Sequence, residues 1–64
     1  MDIQIRMIED EIRDLERIVK ADIALFELQK LPERRTALYK EIGELEYKID
    51  RLRERIDSIL ASLD

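Results

Sequence analysis

The chain has no cysteine, histidine, tryptophan or asparagine, one glycine, one proline and three aromatic residues in 64. Without cysteine or histidine there is no thiol nucleophile, disulfide framework, imidazole base or zinc-finger-type ligand set. A single glycine excludes a glycine-rich phosphate loop. No run approaches the ~18 apolar residues of a membrane span. The opening MDIQIRMIEDE lacks the apolar core of a signal peptide, so a cytoplasmic location is expected. A chain this short buries only about 60% of the surface its unfolded form exposes, which makes it marginal alone.

What is present is charge and aliphatic bulk: 44% charged residues, 45% apolar, net charge −4. A phosphate-binding protein normally shows a basic face, so nucleic acid is disfavoured as a partner. High charge and scarce amides suit a thermophilic protein, although long helices produce much the same profile.

Apolar residues of the first half recur at Ile5, Ile8, Ile12, Leu15, Val19 and Phe26, a heptad pattern with one step passing over Asp22. In the second half they recur at Leu38, Ile42, Leu45, Ile49, Leu52, Ile56, Ile59 and Leu63, alternately four and three apart. These patterns predict one helix over about residues 3–29, a turn at 30–32 and a second helix over about 32–62. Pro32 suits a first helical position, where its missing N–H leaves nothing unsatisfied. Leu31 before it is a poor N-cap. Across this point the heptad phase slips by two residues, which matches neither common interruption of a continuous coiled coil, so the chain turns here.

Folding back about Pro32 sets residues whose numbers add to 64 opposite one another, so that Ile5 meets Ile59, Ile12 meets Leu52 and Phe26 meets Leu38. The expected fold class is therefore all-α, a two-helix antiparallel coiled-coil hairpin that dimerises into a four-helix bundle. At its flanks Glu9 is expected near Arg53 and Glu11 near Arg55. Glu9–Arg13, Glu16–Lys20 and Glu44–Lys48 have the spacing of surface ion pairs.

A second apolar stripe, Ile18, Ala21, Leu25 and Leu28, lies beside the seam, with Ile23, Leu31 and Tyr39 adding apolar area. A two-helix unit has one inter-helix seam, so this stripe has no partner within the chain. Pairing the first helix with a second copy, antiparallel about residue 23, sets Ile18 against Leu28 and Ala21 against Leu25. Asp22 is the one carboxylate at a core position. It is either a register or specificity group or, the favoured reading, an interruption at which Ile23 takes over the seam and Asp22 turns to water.

Glu9, Asp10, Glu11 and Asp14, with Glu41, Glu44 and Glu46, are the sole hint of catalysis. They faintly resemble the acidic helices of all-α, metal-dependent nucleotide pyrophosphatases, which implies a Mg²⁺-assisted hydrolase. Their outward heptad positions and interleaved Arg13, Arg17, Lys40 and Lys48 favour a solvated face instead. Arg34, Arg35, Arg51, Arg53 and Arg55 raise RNA binding as an alternative, because length and hairpin plan resemble the Rop-like RNA-binding helical-hairpin dimers. That resemblance carries no matching motif. The expected function is a small non-enzymatic interaction or assembly module, with no cofactor and no metal. Its expected partners are a second copy of itself and another protein.

Overall fold

The computed structural model describes residues 2–63, and within them the chain forms α1 (Ile3–Leu28) and α2 (Pro32–Ser62), packed against each other as a hairpin. The start of α1 is set by Asp2, whose carboxylate accepts the Gln4 N–H at 2.7 Å. It ends at Gln29, whose backbone is extended, and Leu31 is extended too, the conformation that a following Pro32 imposes on its neighbour. Pro32 opens α2 at its first position with Glu33 in the first turn, and Leu31 makes no side-chain cap.

Another contact holds the turn. The Arg35 guanidinium lies 4.2 Å from the centre of the Phe26 ring and donates to the Gln29 carbonyl oxygen at 3.2 Å. One side chain thus covers an aromatic face and places a positive charge at the negative end of α1. The Gln29 side chain accepts the Leu31 N–H at 3.2 Å, which closes the bend from the other side.

Between the helices runs a single seam. Ile8, Ile12 and Ile49 are buried, with Leu15, Val19, Leu52, Ile56 and Ile59 packed around them. Apart from the N-cap Asp2, every described residue that is not exposed lies on this seam, from Ile5 to Phe26 on α1 with Gln29 just past its end, and from Arg35 to Ile59 on α2. These positions follow an unbroken three-four alternation on both helices, and opposite members add to 64. Leu63, which continues the spacing in the sequence, falls past the end of α2 and is exposed.

Two flank expectations are corrected. Arg53 reaches Glu16 at 3.4 Å, not Glu9, because side chains on a helix lean toward its N-terminus. In antiparallel helices that lean carries Arg53 toward the turn and Glu16 away from it, so they meet one heptad from the level pair. Along each helix, Arg13 pairs with Asp10 instead of Glu9, and Arg17 with Asp14 at 3.9 Å. The shorter aspartate side chain meets an arginine three residues on. No helix is long and apolar enough to cross a membrane among the described residues.

The hairpin is a thin rod of 50 × 15 × 11 Å. Its radius of gyration is 15.0 Å, where a compact chain of this length would have about 11 Å. It exposes 5460 Å², against about 4,300 Å² for a compact monomer of its mass.

Candidate interaction surface

Asp22 decides how the seam is read near the turn. It is only 7% exposed, whereas Ile23 is 41% exposed. The interruption expected from the sequence does not occur: the heptad continues through Asp22, opposite Ile42, and Ile23 stays outside. The reason is continuity. Rotating α1 to bring Ile23 inward would also rotate Val19 and Phe26, which the same seam holds in place.

The buried carboxylate is incompletely satisfied, since its Oδ2 has no hydrogen-bond partner. Its neighbour across the seam edge is Glu41. Hydrogen bonding to Asp22 and the Asp22 charge hold the Glu41 carboxyl above its usual range, with a smaller push from Glu44. Two acidic groups thus lie side by side at the edge of the seam.

Beside them runs the second stripe of α1. Ile18, Ala21, Leu25 and Leu28 are all exposed, Leu25 by 54% and Leu28 by 78%. They share one face, since their spacing repeats every three or four residues on a single helix. It adjoins Asp22 and the flank of α2 that carries Glu41.

The other residues do not join this face. Ile23 sits on the opposite flank of the seam, where it lines a shallow groove with Val19, Glu16, Glu46 and Arg53. Tyr39 lies on that flank too, its ring centre 6.4 Å from that of Phe26. Leu31 is exposed at the turn. The apolar residues near the tip therefore form two faces and a cap rather than one patch, and the continuous face is the stripe of α1. The heptad positions of Ile23 and Tyr39, on the flank away from Leu25, carry that distinction in the sequence.

Three of the five arginines that raise RNA binding are engaged within the chain. Arg35 closes the turn, Arg51 meets Glu54 at 3.6 Å, and Arg53 meets Glu16 and Asp50. Among the described residues no three acidic side chains of one chain come together in a way that could hold a metal ion. Comparison with protein-family models, with curated proteins and with solved structures returned no match.

Proposed function

We propose that the chain is a small assembly module that works by packing helices, not by catalysis, and that its first partner is a second copy of itself. The observation that carries this reading is the exposed stripe Ile18, Ala21, Leu25 and Leu28 on the outer side of α1. Antiparallel pairing about residue 23 makes it self-complementary, so one two-fold contact covers both copies of the stripe at once. The rod's surface supports the same occupant. Its excess over a compact monomer, roughly 1,100 Å², is of the order of the ~800 Å² per partner that a stable interface removes. The product is a four-helix bundle in which the two copies of α1 form the centre of the contact.

Sedimentation equilibrium of the full chain at micromolar concentration tests the reading. The expected species is a dimer, and Leu25→Lys, which places a charge at the middle of the stripe, returns it to the 7.7 kDa monomer. A parent chain that is fully helical and monomeric under these conditions overturns the proposal.

A further inference from the structure

The two-fold contact has an electrostatic consequence. Its axis crosses at the level of residue 23, on the stripe side of α1 and away from the Ile23 side chain, and the register of the hairpin sets Glu41 at that same level. An axis relating two antiparallel copies of α1 stands perpendicular to the plane that contains them, so both copies of α2 lie on the same side of that plane. Asp22 faces the space between the four helices, and Glu41 lies on the same flank. Two Asp22 and two Glu41 carboxylates therefore gather around the axis, with Ala21 and Leu25 of each chain sealing the sides.

The chain's own cations do not answer this charge. On that flank of α2 the flanking basic residues are Arg34 and Lys48, each two turns from Glu41, or about 10 Å along the helix. Glu44, one turn away, adds further negative charge. Uncompensated carboxylates inside a bundle are costly. Within one chain Asp22 is 7% exposed and its Oδ2 is without a hydrogen-bond partner, and its heptad position borders those of the stripe that the second copy covers. Resting on the dimer proposed above, we infer that the dimer axis is a divalent-cation site, with Asp22 and Glu41 of both copies as ligands. One chain supplies half of the ligands, so the site exists only in the dimer. A set of carboxylate oxygens alone selects a hard ion of the Mg²⁺, Mn²⁺ or Ca²⁺ type.

Mn²⁺ serves as the probe, with the full chain followed by sedimentation equilibrium in EDTA and in Mn²⁺, and free Mn²⁺ counted by its electron paramagnetic resonance signal. The expected result is one Mn²⁺ per dimer, and dimerisation tightened about tenfold when free Mn²⁺ is about ten times its dissociation constant. Asp22→Asn keeps the shape and removes the charge. It should dimerise more tightly than the parent in EDTA and lose the response to Mn²⁺; Glu41→Gln should weaken that response. A dimer of equal strength in EDTA and Mn²⁺, or one that Mn²⁺ tightens equally in Asp22→Asn, overturns the cation site and leaves the dimer standing. A monomer in every condition overturns both.

Discussion

Away from the turn, Ile8, Ile12 and Ile49 are enclosed by their neighbours, and the flanks carry ion pairs such as Arg53–Glu16. Toward the turn the arrangement inverts: the enclosed position belongs to Asp22, while Ile18, Leu25 and Leu28 face outward. Both halves have the same seam and the same helix spacing, so secondary structure does not explain the difference. It lies in which heptad positions hold the aliphatic residues. The far half encloses aliphatic residues in its seam and leaves Ile3, Met7 and Leu60 exposed, whereas the half near the turn carries a continuous exposed stripe beside a seam that holds a carboxylate.

Replacing an enclosed residue of the far half and a stripe residue near the turn should separate the two most sharply. In a Leu25→Lys background that holds the chain monomeric, Ile49→Ala should destabilise the hairpin by about 2–5 kcal/mol in urea unfolding, the range for emptying an enclosed aliphatic site. Leu28→Ala in the same background should change stability by no more than about 0.5 kcal/mol. Comparable losses at both sites would mean that the stripe is packed within one chain.

Asp22→Leu should move the other way. It gives Ile42 an apolar partner and should stabilise that same background by about 1–3 kcal/mol. The gap between parent and variant should depend on pH. Because Glu41 holds its proton more tightly when folded, its contribution is present below the ordinary value of 4.5 and is lost as pH rises through the higher folded value. Thermal melts should thus show a small gap in acid and a wider one at neutral pH.

Gly43→Ala comes next. A methyl group there meets nothing within 4 Å, so the change should add about 0.5–1 kcal/mol through helix propensity alone. The smallest effect belongs to the far flank. Arg53→Gln should cost about 0.2–1 kcal/mol, and the cost should shrink in high salt, since the pair with Glu16 is half in water.

The register was fully legible from the apolar residues, because a two-residue slip in phase admits one antiparallel alignment and that alignment matches six apolar layers. The exposed stripe was legible on the same ground. Asp22 was misread because burial of a carboxylate argues locally for escape to water, whereas the layers on either side hold α1 in phase. Arg35 was read as a basic residue among others. Its place directly after the last apolar layer, across from Phe26 and Gln29, is what makes it the clasp of the turn. The ion pairs depend on side-chain lean and reach, which spacing alone does not encode.

The clasp also bears on the order in which the hairpin closes. Arg35, Phe26 and Gln29 are close along the chain, so joining them forfeits little loop entropy, and each later layer encloses a longer stretch. Closure from the tip outward is the low-entropy route. On that route the Asp22–Ile42 layer comes early, before Ile12 and Ile49 have met anything, and the growing zipper must cross it without their help. A carboxylate in the seam is then a hurdle in time as well as in energy, and Asp22→Leu should speed folding more than it slows unfolding.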